Sequence, residues 1–91
     1  MKHKDLVRVI VNIYGEDYIV RGSEDPHYIE KLAAYVDRRM MSIAQRNPNL
    51  GTTKVAVLTA LNIADEMGKL QEDYDQLIKT MEEMKNKASE G

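Results

Sequence analysis

The chain has 91 residues, 13 Lys/Arg against 15 Asp/Glu and a net charge of −2 with a pI near 5.6. That length holds at most one domain, and that charge lacks the basic excess with which a dedicated nucleic-acid binder neutralises phosphates. The absence of Cys excludes a disulfide framework, a thiolate metal site and a thiol nucleophile. Hydrophobic residues make up 43% and charged residues 31%, which fits neither a disordered chain nor a membrane protein. The chain nevertheless contains no Trp, no Phe and only five Tyr. Chains of this size with so few large apolar side chains commonly complete their core by oligomerising.

Lys2, His3 and Lys4 make a basic start. The mostly apolar Leu6 to Tyr14 follows, but Arg8 and Asn12 interrupt it and no small-residue cleavage site comes after, so it does not read as a signal peptide. Val7, Val9, Val11 and Ile13 alternate with Arg8 and Asn12, the period of a half-buried strand. Ile10 breaks the polar face, so that face is expected to be partly covered as well. Gly15-Glu16-Asp17 reads as a turn, with Gly15 free to take positive φ. Tyr18 to Arg21 reads as a second strand, giving a β-hairpin over 6–21. A lone hairpin is marginal in water and needs a helix on its apolar face.

Asp25 is placed to cap a helix with Pro26 in its first turn. Ile29, Leu32, Ala33, Val36, Met40, Ile43 and Ala44 then recur as a core-facing stripe, and the helix is predicted over 25–46. Pro48 ends it in a loop over 47–51. Thr52 or Thr53 caps a second helix running to Ala88, about 55 Å long at the standard rise. Its start is apolar on more than one face, so Val55 to Ala64 are expected to pack into a small head. From Ala60 onward a three-and-four spacing runs unbroken through Ala60, Ile63, Met67, Leu70, Tyr74, Leu77, Met81, Met84 and Ala88. This is the heptad seam of a coiled coil. The expected architecture is α+β: a hairpin and amphipathic helix form a head over 1–51, and a long helix over 52–91 ends in a coiled-coil stalk over 67–88. The head carries eight Lys/Arg against seven Asp/Glu, and the long helix five against eight. Lys69–Asp73 and Asp75–Lys79 are spaced to support that helix as i,i+4 pairs, and Ser89 to Gly91 are expected to fray.

Catalytic chemistry finds little to build on. His3 and His27 are the only histidines, both peripheral and read as surface groups rather than metal ligands. The glycines are isolated rather than gathered into a phosphate-binding loop, and the stalk's carboxylates alternate with lysines as a solvated face does. No enzyme activity, cofactor, metal or small-molecule substrate is expected. Asn62 lies between Leu61 and Ile63 in the apolar start of the second helix, where it has two readings: an amide fixing the packing within the head, or a contact across a dimer. Met67, Met81 and Met84 read either as core or as an adaptable groove. On the first helix Tyr28, Tyr35, Arg39 and Arg46 fall along one edge of the stripe, with Lys31 and Arg38 on the side away from it. That composition suits either a docking edge or amphipathic side chains over a solvated flank.

Val11-Asn12-Ile13-Tyr14-Gly15-Glu16-Asp17-Tyr18, followed by a helix, resembles the start of the ZapA family of bacterial Z-ring-associated cell-division proteins. Thr59-Ala60-Leu61-Asn62-Ile63-Ala64-Asp65-Glu66 resembles that family's most distinctive segment. The resemblance runs from about Val7 to Met84 and favours the shorter, Bacillus-like form. It implies a cytoplasmic, non-enzymatic protein of the mid-cell division site, dimeric and able to form a tetramer through its long helices. It also implies a partner, the tubulin-like GTPase FtsZ, whose protofilaments such proteins bundle and whose GTP turnover they lower. Membrane and nucleic acid are not expected partners. The implied FtsZ contact uses basic residues of the head and carries over to Arg46. Arg38, Arg39 and Lys54 extend it by charge and geometry, while the family's basic position after the hairpin glycine is Glu16 here. The alternative class is a dimeric DNA-binding regulator of ribbon-helix-helix type, which also begins with a strand and two helices.

Overall fold

The structure is a computed structural model and describes residues 6–90; Lys2, His3, Lys4 and Gly91 lie outside the described residues. The element order is β1 (Val7–Ile13), β2 (Glu16–Gly22), α1 (Pro26–Arg46) and α2 (Thr52–Glu90). This is the α+β hairpin, helix and long helix that the residue patterns predict. β1 and β2 pair antiparallel, with Val9 opposite Val20, Val11 opposite Tyr18 and Ile13 opposite Glu16.

That last pair locates the turn. It is not Gly15-Glu16-Asp17 but the two residues Tyr14 and Gly15, with φ of 52° and 85°. Two successive positive φ values match the right-handed twist of paired strands, which is why two-residue hairpins favour them. Glu16 and Asp17 consequently belong to β2.

The core of this part lies between the hairpin and α1. Val9 and Val11 are buried with Ile29 and Ala33, and Val7, Ile13 and Val20 pack against them. Asp25 caps α1, accepting a hydrogen bond from the His27 backbone N–H at 2.7 Å with Pro26 in the first turn. Asn47 closes it: its backbone N–H reaches the Ile43 and Ala44 carbonyls, and its Nδ2 also donates to the Ile43 carbonyl. Of the predicted α1 stripe, Ile29, Ala33 and Met40 are buried and Val36, Ile43 and Ala44 half-buried, whereas Leu32 is exposed. A two-stranded sheet is too narrow to cover the full width of a helix stripe, and Leu32 lies at that stripe's edge.

α2 begins one residue earlier than a threonine cap allows. The Val55 N–H already donates to the Gly51 carbonyl, so Gly51 rather than Thr52 or Thr53 occupies the capping position. The helix continues unbroken through Ser89 to Glu90, 39 residues and about 58 Å. The chain divides into two compact units between Thr59 and Ala60. In the first, Val55 and Thr59 are buried, with the Thr59 hydroxyl donating to the Val55 carbonyl at 2.7 Å. In the same stretch Val57 and Leu58 are exposed. Along the wet face Lys69 pairs with Asp65 at 3.0 Å rather than with Asp73, and Asp75 accepts from Gln71 Nε2 rather than pairing with Lys79.

Candidate functional site

Two surfaces carry the residues that the sequence singles out. The first is on α1 and the start of α2. Arg39 turns back on Tyr35, its guanidinium carbon 5.2 Å from the ring centroid and its Nε and Nη2 donating to the Tyr35 hydroxyl at 3.2 and 3.0 Å. Both residues are half-buried, so Arg39 is held in place by its neighbour one turn away. Arg46, in the last turn, donates to Ser42 Oγ at 3.1 Å and remains exposed. Arg38 and Lys54 are exposed and make no ion pair among the described residues. Tyr28, Lys31, Leu32, Tyr35 and Arg38 line one open hollow on α1. Two phenol rings therefore share a surface with Arg38, Lys31 and an exposed leucine, and of these Tyr and Arg are enriched at protein interfaces.

The second surface is the seam of α2. Ala60, Met67, Leu70, Tyr74, Leu77, Met81 and Met84 are all exposed and Ile63 is half-buried. Leu70 and Leu77 are 69% and 55% exposed, although both are residue types that normally stay out of water. A continuous line of such residues is unusual on a chain that works alone. Asn62 is exposed and Gly15 sits in the hairpin turn. His27 is exposed beside Glu30, with 3.5 Å between Nδ1 and Oε1.

Asp37 was not singled out by the residue pattern, yet it joins the hairpin to α1. The Tyr14 backbone N–H donates to its Oδ1 at 2.7 Å, across 23 residues of chain. Its only sequence signal is a carboxylate close to the apolar stripe of α1, and nothing local specifies that its partner is a turn.

Residues 9–90 match the family described as Cell division protein ZapA. The chain belongs to the ZapA family. The Cell division protein ZapA of Geobacillus thermodenitrificans (strain NG80-2) is 49% identical over 77 residues, 85% of each chain. That of Geobacillus kaustophilus (strain HTA426) is 46% identical over 79 residues, 87% of each. Among solved structures, a ZapA mutant dimer from Geobacillus stearothermophilus matches with a TM-score of 0.71 at 41% identity, covering 90% of this chain and 95% of that one. These relatives bear out the shorter, Bacillus-like reading. ZapA is a cell-division family rather than an enzyme family. No helix among the described residues of this ZapA chain is long and apolar enough to cross a membrane.

Proposed function

We propose that this chain binds FtsZ, cross-links and bundles its protofilaments at the mid-cell division site in the cytoplasm, and so stabilises the Z-ring and lowers GTP turnover. The observation that carries this reading is the exposed seam of α2 in a ZapA-family chain. Burying Leu70, Tyr74, Leu77 and Met81 against a second copy removes apolar surface from water at roughly 25 cal/mol per Å². The dimeric state of the Geobacillus stearothermophilus relative supports the same pairing here. A self-associated particle presents more than one FtsZ-binding surface. Each contact need not be tight, because after the first one forms the second is effectively intramolecular. Arg46, with Arg38, Arg39 and Lys54, supplies the charge for weak attraction to an acidic filament. Asn62, exposed next to the seam, fits a contact across the dimer.

The test is Leu77→Glu. Filaments should still co-sediment the variant at high speed, but bundles should no longer pellet at low speed, and light scattering should report a smaller particle. Normal bundling by a monomeric variant would remove cross-linking through the seam as the mechanism. The ribbon-helix-helix alternative gains nothing from the fold, in which β1 is paired by β2 of the same chain over all seven of its residues.

A further inference from the structure

The outer face of the hairpin, away from the core with α1, is not built like a solvated sheet face. Period-two alternation puts Leu6, Arg8, Ile10 and Asn12 on it. The register sets Arg21 opposite Arg8, Ile19 opposite Ile10 and Asp17 opposite Asn12. When one face of an antiparallel ribbon packs on a helix, the other ordinarily carries polar residues. Here its centre is a pair of isoleucines, 69% and 55% exposed. Beside them Arg8 and Arg21 are directly opposed in register, and neither pairs with a carboxylate among the described residues. Opposed like charges destabilise a strand pair. Among the described residues the one carboxylate on the face, Asp17, is at the other end and accepts from Asn12 Nδ2 at 2.9 Å.

Both features are relieved by the same kind of occupant, one that covers apolar surface and brings negative charge. A second copy of this face fits poorly, since it brings four guanidiniums together with two carboxylates that are already hydrogen-bonded. We infer that the outer face of the hairpin is a docking surface for an acidic segment of a partner protein with apolar side chains among its carboxylates. The carboxylates pair with Arg8 and Arg21, and the apolar side chains cover Ile10 and Ile19. This surface is separate from the basic residues of α1 and does not depend on their role.

The experiment is fluorescence anisotropy of the full chain with a labelled, end-capped peptide reading Asp-Glu-Leu-Ile-Val-Glu-Asp, alongside a control peptide with Asn and Gln in place of the acids. The acidic peptide should bind and the control should not. Arg21→Glu should weaken binding at least tenfold while raising Tm by about 1–5 °C, because it turns a repelling cross-strand pair into an attracting one. Ile10→Ser should weaken binding without that gain in Tm. No binding by the parent chain, equal binding of the control peptide, or unchanged binding by Arg21→Glu would each overturn the inference. It would equally be overturned if Ile10→Ser split the oligomer in light scattering, for the face would then belong to self-association.

Discussion

At Tyr14 the backbone enters the left-handed region with a side chain that rarely goes there, φ 52°. Such a residue costs on the order of 1–3 kcal/mol and persists only where its surroundings hold it. Asp37 does the holding, through the 2.7 Å hydrogen bond from the Tyr14 N–H. Replacing Asp37 by Ala leaves that N–H without its charged acceptor and should destabilise the chain by about 1–3 kcal/mol. Urea denaturation checks this, and an unchanged midpoint would mean that the turn stands without α1. The four cations of the proposed FtsZ contact also differ in how they are held. Arg39 is tied to Tyr35, whereas among the described residues Arg46 is held only by the Ser42 hydroxyl one turn away. Charge reversal at Arg46 should weaken co-pelleting with FtsZ filaments severalfold and leave the oligomer mass unchanged. Undiminished co-pelleting would move the contact elsewhere in the first unit.

At the scale of elements, α1 shows how much local chemistry specifies. Asp25, Pro26 and Asn47 mark its ends by side-chain hydrogen bonds and fixed φ, and both ends are legible from composition. The start of α2 is less so. Gly51 takes the capping position because the loop places its carbonyl on Val55 N–H, a geometry that the two following threonines do not encode. Within α2, Gly68 is the weak interior residue, and a Cβ built there meets nothing within 4 Å. Gly68→Ala should therefore stabilise the helix by about 0.5–1 kcal/mol, read as a higher urea midpoint. Destabilisation instead would show that a partner's backbone comes close to Gly68 in the assembly.

At the scale of the whole molecule, one chain buries little for its length. Among the described residues the buried apolar ones are Val9, Val11, Ile29, Ala33, Met40 and Val55, and none lies beyond Thr59. An isolated helix draws most of its stability in proteins from packing of an apolar face, so the stability of this chain should depend on its partner. Anything that binds only the folded state makes Tm concentration-dependent. A hundredfold rise in protein concentration should raise Tm by roughly 5–10 °C by that linkage in a chain of this size. Leu77→Glu should flatten the dependence. A parent Tm independent of concentration would mean that the seam is covered by something other than a second copy.

The periods of apolar residues were enough to determine the elements. Two-residue alternation from Val7 to Ile13 makes a strand, recurrence from Ile29 to Ala44 makes a helix, and the three-and-four spacing from Ala60 makes a seam, because each pattern puts apolar atoms on one side of only one kind of backbone. The distinctive segment around Asn62 was likewise legible as a family mark. Two features were decided only by tertiary structure. The turn shifted to Tyr14-Gly15 because register, not composition, chooses which residues close a hairpin. Asp37 became the anchor of that turn because a contact across 23 residues has no local signature. The pairing of Lys69 with Asp65 over Asp73 was instead settled within α2, because i−4 and i+4 partners are equally near along a helix and side-chain conformation breaks the tie. Burial also depends on what stands opposite. Ile10 and Val9 are neighbours of the same chemical kind, and only the position of α1 makes one of them core and leaves the other in water.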